Sequence, residues 1–186
     1  FGKLKDESTV YHLADLLNSH KIKFNKISED VVLNGKKFTK DNSYIISMNQ
    51  PKRTLIDAMF YTQTEFKDSL FYDVSAWTFP LAFNVNYSYT DNLSKSSVSK
   101  LFGDEVTETQ KPIGNVDSKS NYAYLFEPHE YYAQAAVYHL IKEGLRIKTA
   151  TRKFSIKGKE FDYGTYLIPV QNQIMNSEDI YNKLLE

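Results

Sequence analysis

Residues 31–38 read VVLNGKKF, and residues 154–161 read FSIKGKEF. In the first stretch apolar residues flank Asn34-Gly35, a dipeptide suited to a type I′ hairpin turn, and in the second Gly158 takes the place of Gly35. Each stretch therefore predicts a β-hairpin. Two hairpins of the same length with glycine at the same point favour a repeated unit over a chance likeness.

The pattern around each hairpin is also similar. Phe38 and Phe161 are 123 positions apart, as are Gly35 and Gly158. Apolar spacing predicts the order helix, strand, hairpin, strand in both halves. In the first half the helix and strand lie in 10–27 and the second strand in 43–48, with a further helix opening at Pro51; in the second half the helix is 131–144, and the strands are 145–151 and 165–170.

The predicted elements point to an α/β fold. A strand over 121–128 precedes the second-half helix, so we expect an equivalent strand ending near Phe1, with most of it missing from this sequence. Helices alternating with apolar strands predict a mainly parallel sheet covered on both faces, with right-handed crossovers.

We expect residues 1–186 to form one α/β domain built from two similar halves, each with a hairpin. The first half is about 1–86 and the second about 121–186. The intervening 87–120 is rich in Ser, Thr, Asn, Asp and Gly, which predicts a linker or a long surface loop.

The composition excludes several functions. The 23 basic and 23 acidic residues give a net charge of zero, which disfavours nucleic-acid binding. No apolar run is long enough to predict a membrane span. The chain has no cysteine, so disulfides, thiolate metal sites and cysteine nucleophiles are all ruled out.

The four histidines are candidate metal ligands. His12 and Asp15 would share a helix face and, with a distant histidine such as His139, imitate a zinc site. However, Asp15 is shorter than the usual Glu, and no acid stands out as a general base. We interpret the four histidines as helix-surface or helix-terminal residues, and expect no metal in this chain.

Other catalytic motifs are absent from the sequence, including the nucleophile elbow and the phosphate-binding glycine loops. Gln50, Asp73, Ser75 and Trp77 are the groups that we expect to line a ligand or interdomain crevice at the strand ends. Asp73 could instead cap the turn after its strand. Paired tyrosines such as YSY and YAY could form a binding surface, but their alternation favours a strand face.

Two stretches resemble a known family. SMNQPKR (47–53) and DSLFYDVSAWTFPL (68–81) resemble the region downstream of the catalytic domain in large bacterial M14-type zinc carboxypeptidases. Together with the helix, strand and hairpin order and the YLIPV strand, the resemblance covers most of the chain. It implies a three-layer α/β sandwich of the flavodoxin-like, class I glutamine amidotransferase-like type.

The same resemblance implies a function. The peptidase motif H-x-x-E with a later His does not map onto this chain, and neither does an amidotransferase cysteine. The chain is therefore expected to be a non-catalytic C-terminal accessory domain, with zinc only in the absent peptidase domain. Its expected partner is the upstream peptidase domain of the same polypeptide, or a second copy in a homo-oligomer. The family further implies a periplasmic or secreted protein of a Bacteroidetes-like organism.

Two alternatives stay open. The chain could be a stand-alone peptide- or glycan-binding module that uses its tyrosines and Trp77, because aromatic rings give flat apolar surfaces with polar tips. It could also be a hydrolase built on His12 and Asp15.

Overall fold

The protein is described by a computed structural model that covers residues 1–62, 78–91 and 95–186. The chain divides into two compact units, which we name unit 1 (Phe1–Pro112) and unit 2 (Ile113–Glu186). Each unit has its own cluster of buried apolar side chains.

Unit 1 contains a three-stranded antiparallel sheet, a separate hairpin and four helices in its described part. The sheet has the order β4-β1-β5, and β2 pairs with β3 in the hairpin. In chain order the elements are α1 (Glu7–Ser19), β1 (Asn25–Ile27), β2 (Val31–Leu33), β3 (Lys36–Phe38), a 3-10 turn (Lys40–Asn42), β4 (Tyr44–Ile45), α2 (Arg53–Phe60), α3 (Phe79–Ala82), α4 (Lys95–Leu101) and β5 (Phe102–Glu105).

Helix α1 illustrates how sequence produces packing in unit 1. The Asp6 side chain accepts a hydrogen bond from the Ser8 backbone N–H at 3.0 Å and so caps the helix N-terminus. Val10, Leu13 and Leu17 recur at helical spacing, and all three are buried in the unit 1 core. The predicted helix face is therefore confirmed.

Unit 2 has the same kinds of element in a smaller arrangement. Its sheet has the order β6-β10-β7 and is antiparallel throughout, while β8 and β9 form a separate hairpin. The elements are β6 (Ala123–Phe126), α5 (Ala133–Lys142), β7 (Lys148–Thr149), β8 (Phe154–Ile156), β9 (Lys159–Phe161), β10 (Tyr166–Pro169) and α6 (Ser177–Leu185). Leu140, Leu145, Ile168 and Ile180 form the buried cluster.

Both predicted hairpins are confirmed. Asn34 and Gly35 have φ values of 50° and 74°, and the corresponding Lys157 and Gly158 have 50° and 81°. Positive φ at both central positions is what a type I′ turn requires. The turn chemistry visible in the sequence therefore fixes the register of both hairpins.

The predicted fold class is wrong. The described residues show small antiparallel sheets of two or three strands, not the mainly parallel sheet of a flavodoxin-like or amidotransferase-like three-layer sandwich. A parallel pair needs a long crossover, usually a helix, between its strands. Here β1 and β4 are separated by a hairpin and a 3-10 turn, so the chain returns and pairs antiparallel.

The stretch predicted as a linker or surface loop, 87–120, contains helix α4 and strand β5. Strand β5 pairs with β1, with Asn25 opposite Glu105 and Ile27 opposite Phe102, so this stretch completes the unit 1 sheet. Within the described residues, none of the helices has the length and apolar character needed to cross a bilayer.

Candidate functional site

Gln50, the first predicted crevice residue, holds two backbone segments together. Its side-chain oxygen accepts a hydrogen bond from the Lys23 N–H at 2.9 Å. Its side-chain nitrogen donates to the Lys23 carbonyl at 2.9 Å and to the Ser47 carbonyl at 2.7 Å. All the hydrogen-bonding groups of the amide except one lone pair are thus used within the protein.

Gln173 makes the same three hydrogen bonds in unit 2. Its oxygen accepts from the Arg146 N–H at 2.9 Å, and its nitrogen donates to the carbonyls of Arg146 at 2.9 Å and Pro169 at 2.8 Å. Gln173 was not among the residues predicted from the sequence to line a crevice. The sequence repeat could have identified it. Gln173 lies 123 positions after Gln50, and Arg146 lies 123 positions after Lys23, the same separation as between the two hairpins.

The other three predicted crevice residues, Asp73, Ser75 and Trp77, lie outside the described residues. Gln50 itself borders an open surface depression next to Pro51 and Arg53. The hydrogen bonds of the Gln50 amide connect Lys23, two residues before β1, with Ser47, two residues after β4.

The alternative metal site does not assemble around His12 and Asp15 in the described residues. No group of three histidine or acidic side chains there could hold a metal ion. Asp15 accepts a hydrogen bond from the Thr109 hydroxyl at 3.0 Å. Burial lowers the pKa of His12, with the Asp15 carboxylate acting in the opposite direction. The His12 ring lies 4.9 Å from that of Tyr11, an edge contact.

An apolar groove of about 890 Å³ lies beside β4 in unit 1. Its described walls come from Phe1, the end of β1, the β2–β3 hairpin, β4 and the residues after it, α2, the segment 87–91, and residues 98–102 of α4 and β5. We call it the β4 groove. Its walls include the side chains of Phe1, Tyr44, Ile46, Phe60, Tyr87 and Tyr89.

Hydrogen bonds fix the hairpin wall of the groove against the 87–91 wall. The Asn34 amide donates to the Ser88 hydroxyl at 2.8 Å and to the Tyr89 carbonyl at 3.0 Å. The Lys36 ammonium donates to the Tyr87 carbonyl at 3.1 Å and stands 4.8 Å from the centre of the Tyr87 ring. The groove is therefore shaped before any ligand arrives, which lowers the cost of ordering it on binding.

The floor of the groove is aromatic. The Phe1 ring lies 5.3 Å from that of Tyr44 and 5.9 Å from that of Phe60, between ring centres. Burial raises the pKa of the Tyr44 hydroxyl, and the charge of Glu7 acts in the same direction. Tyr44 therefore stays neutral at physiological pH and serves as an apolar surface with a hydrogen-bonding tip.

The described residues lining the groove include no histidine, and their charged side chains are Lys36, Asp57 and Asp91. Asp57 lies 3.9 Å from Arg53 on the same helix. This combination of apolar walls and a few polar groups is typical of a binding site.

The tyrosine pairs noted in the sequence have different environments. Tyr87 and Tyr89 line the β4 groove, whereas Tyr124 packs against the unit 2 core. Tyr122 is 78% exposed, and Tyr131 is 49% exposed. Only the first pair thus contributes to the groove.

Comparison of this chain with protein-family models, curated protein sequences and solved structures finds no match.

Proposed function

We propose that this chain is a non-catalytic accessory module of a larger zinc carboxypeptidase-like protein, and that the β4 groove is its contact site. The resemblance of 47–53 and 68–81 to the region downstream of the catalytic domain in such enzymes supports the choice of parent protein. The shape and apolar lining of the β4 groove support a binding role.

The groove suits a partner that buries apolar side chains. Aromatic walls gain free energy when water leaves them, and each offers a flat face for stacking. The carboxylates of Asp57 and Asp91 and the Tyr89 hydroxyl can accept or donate hydrogen bonds to a partner. In this proposal the partner is the peptidase domain of the same polypeptide, which supplies the zinc ligands and the general base. The module is exported with it to the periplasm or beyond.

The test measures the affinity of the 186-residue chain for the separately produced peptidase domain by calorimetry. Tyr89→Ala removes an exposed groove ring, since Tyr89 is 64% exposed. We expect it to weaken binding at least about tenfold, equivalent to about 1.4 kcal/mol. Tyr138→Ala is the matched control because Tyr138 is 72% exposed and lies on α5 in unit 2.

Unchanged affinity for Tyr89→Ala would contradict the groove as contact site. The parent assignment has a separate check, because it requires H-x-x-E and a later histidine in the polypeptide ahead of Phe1. Their absence from a full-length reading frame would contradict it.

A second candidate is a stand-alone module that binds peptides or glycans, favoured by the presence of Tyr87 and Tyr89 in the groove. Titration with peptide and glycan pools, followed through tryptophan fluorescence and calorimetry, separates the candidates. A saturable response that Tyr89→Ala abolishes supports the stand-alone module. No response to any pool, together with binding of the peptidase domain, contradicts it.

A further inference from the structure

The turn of the β2–β3 hairpin places a reactive pair of residues at the surface. Asn34 is followed by Gly35, and no other asparagine in the sequence precedes a glycine. Both residues are exposed, and a Cβ added to Gly35 would meet no described atom within 4 Å. Because glycine has no side chain, nothing on residue 35 shields its backbone nitrogen. The last ladder pair joins Leu33 to Lys36, so the Gly35 N–H lies beyond the ladder.

This arrangement suits deamidation of Asn34. The Gly35 nitrogen, after losing its proton to hydroxide from the solvent, attacks the side-chain carbonyl carbon Cγ of Asn34. A new Cγ–N bond forms while the Cγ–Nδ2 bond breaks. Nδ2 takes a proton from water and leaves as ammonia, which regenerates the hydroxide. The product is a five-membered succinimide ring that includes the Gly35 nitrogen.

Water then opens the succinimide in one of two ways. Addition at Cγ breaks the bond from Cγ to the Gly35 nitrogen and gives aspartate. Addition at the backbone carbonyl breaks that carbon's bond to the same nitrogen and gives isoaspartate, whose main chain runs through Cβ and Cγ. In either case one amide and one water become one carboxylic acid and one ammonia.

The nitrogen that leaves in this reaction is also the atom that joins two walls of the β4 groove. Nδ2 of Asn34 donates to the Ser88 hydroxyl at 2.8 Å and to the Tyr89 carbonyl at 3.0 Å. These bonds use both hydrogens of the amide. Loss of Nδ2 therefore removes both bonds in one step.

We propose that Asn34 is a site of spontaneous deamidation, and that loss of its Nδ2 releases the β2–β3 hairpin from residues 88 and 89 and loosens the β4 groove. A carboxylate at position 34 has acceptors only. The Tyr89 carbonyl then faces a second acceptor, and only the Ser88 hydroxyl can turn to donate. The effect on binding rests on the proposed contact role of the groove, whereas the reaction itself does not.

Lys36 makes the other contact between these two walls. Its ammonium donates to the Tyr87 carbonyl at 3.1 Å and stands 4.8 Å from the centre of the Tyr87 ring. A carboxylate at position 34 attracts the same ammonium, so the reaction also weakens this contact. Isoaspartate adds a methylene to the main chain, which is incompatible with a two-residue type I′ turn.

The hydrogen bonds that the reaction destroys also slow it. Cγ reaches the Gly35 nitrogen by rotation about the Cα–Cβ bond of Asn34, and the bonds to Ser88 and Tyr89 oppose that rotation. Conversion therefore proceeds mainly from molecules in which the two walls have separated, and it makes the separation permanent. A partner that holds the walls together protects Asn34.

Asn172 in unit 2 is the matched control for the reaction. Its φ of 57° is close to the 50° of Asn34, and it is also exposed. The next residue is Gln173, whose side chain crowds the attacking backbone nitrogen. The two asparagines thus share a backbone conformation and differ in the residue that follows.

The first test incubates the 186-residue chain at mildly alkaline pH and follows both asparagines by peptide mapping and mass spectrometry. We expect Asn34 to convert at least about tenfold faster than Asn172, with aspartate and isoaspartate as products. Ser88→Ala removes one acceptor and should speed the conversion of Asn34. Equal rates for the two asparagines overturn the modification site, and an unchanged rate in Ser88→Ala overturns the protection by hydrogen bonds.

The second test uses Asn34→Asp, which reproduces one product directly, with Asn172→Asp as its control. Amide hydrogen exchange over residues 31–38 should quicken at least about tenfold in Asn34→Asp and stay unchanged in Asn172→Asp. Equal exchange in the two variants overturns the release of the hairpin.

Affinity for the separately produced peptidase domain decides the effect on binding. Asn34→Asp should weaken it at least about tenfold, because the groove is no longer shaped in advance, and Asn172→Asp should leave it unchanged. If Tyr89→Ala weakens binding and Asn34→Asp does not, the proposed function stands and the effect of deamidation on the groove is overturned. If the unmodified chain does not bind the peptidase domain, the proposed function fails, while the conversion rates and hydrogen exchange still decide the modification site and the release of the hairpin.

Discussion

Units 1 and 2 contain the same pair of antiparallel strands but place the third strand on opposite sides of it. In the described part of unit 1 the third strand, β5, joins β1, and on the far side of β4 the Phe1 backbone pairs with Tyr44. In unit 2 the third strand, β6, joins β10, so β7 becomes an edge.

The outermost described strands of the two sheets carry different side chains. Where β6 covers β10, the apolar side chains are enclosed and the remaining edge carries a lysine. Where β5 covers β1, the outer strand among the described residues is β4, whose side chains are uncharged and border the β4 groove. The two units are therefore alike in scaffold but differ in the side chains of their outer described strands.

The largest expected effect concerns the amino group of Phe1 in the 186-residue chain, which donates a hydrogen bond to the Tyr44 carbonyl at 2.9 Å. Burial lowers the pKa of this amino group from 8.0 to about 5. The unfolded chain therefore binds more protons between these values, so stability is lost as the pH falls from 8 to 5. The free energy of unfolding, measured with urea, should drop by up to roughly 4 kcal/mol over this range.

Acetylation of the Phe1 amino group provides the control, because an acetylated nitrogen keeps its hydrogen bond to the Tyr44 carbonyl but cannot gain a proton. The pKa of His12 is also lowered by burial, so a smaller loss with the same sign remains in the acetylated chain. Identical pH dependence of the free and acetylated chains would show that the Phe1 amino group is not buried as described.

A second expected difference is between Ile168 in β10 and Ile46 directly after β4, two residues that are 122 positions apart in the sequence. Ile168→Ala opens a cavity in a fully buried site and should lower the free energy of unfolding by about 3 kcal/mol. Ile46→Ala should lower it by about 1 kcal/mol, because water already reaches the half-buried side chain. Denaturant unfolding of both variants measures the difference, and equal losses would contradict the difference in burial between the two side chains.

A smaller, symmetrical effect is expected at the two glutamines. Gln50→Glu and Gln173→Glu keep the shape but replace a donor that serves two carbonyls with an acceptor. Each change should destabilise its unit by about 2 kcal/mol, and low pH should restore part of the loss by protonating the new carboxyl.

Gln171→Glu serves as the matched control for the glutamine variants, because Gln171 is exposed and lies two residues before Gln173. It should leave stability nearly unchanged. If only one of the variants Gln50→Glu and Gln173→Glu destabilises its unit, the two glutamines do not have equivalent roles.

The smallest effect is expected at the hairpin turns. Gly35→Ala and Gly158→Ala place a Cβ on residues with φ of 74° and 81°, which should cost about 1 kcal/mol each. Gly114→Ala is the control, because no positive φ strains it and no atom lies within 4 Å of the added Cβ. Thermal unfolding should separate both turn variants from the control. A turn variant as stable as the control would indicate that its hairpin tolerates another turn type.

The sequence correctly predicted the structural features that depend on residues close together in the chain. Asn34-Gly35 determines a turn by itself, and the spacing of Val10, Leu13 and Leu17 determines a helix face. Sheet direction could not be read in this way, because strand partners are distant in sequence and an apolar run does not show which way its neighbour runs. The alternation of helices and strands suggested crossovers, but the hairpin inside each unit reverses the chain.

The candidate site was less predictable than the elements. Gln50 was predicted as a crevice residue. In the structure its amide makes hydrogen bonds to the backbone of Lys23 and Ser47, and no sequence motif connects these residues to Gln50. The β4 groove is formed by segments that are distant in sequence, including 87–91 and 98–102 from the stretch predicted as a linker or long surface loop. Asp73, Ser75 and Trp77 stay predictions.

The β8–β9 hairpin forms its own two-stranded sheet and shares no ladder with β10. Extra residues between Lys157 and Gly158 would therefore lengthen an exposed tip without shifting any strand of the neighbouring sheet. The equivalent tip in unit 1 is hydrogen-bonded through Asn34 to the groove wall. Over evolutionary time, insertions should accumulate at the first tip and be selected against at the second.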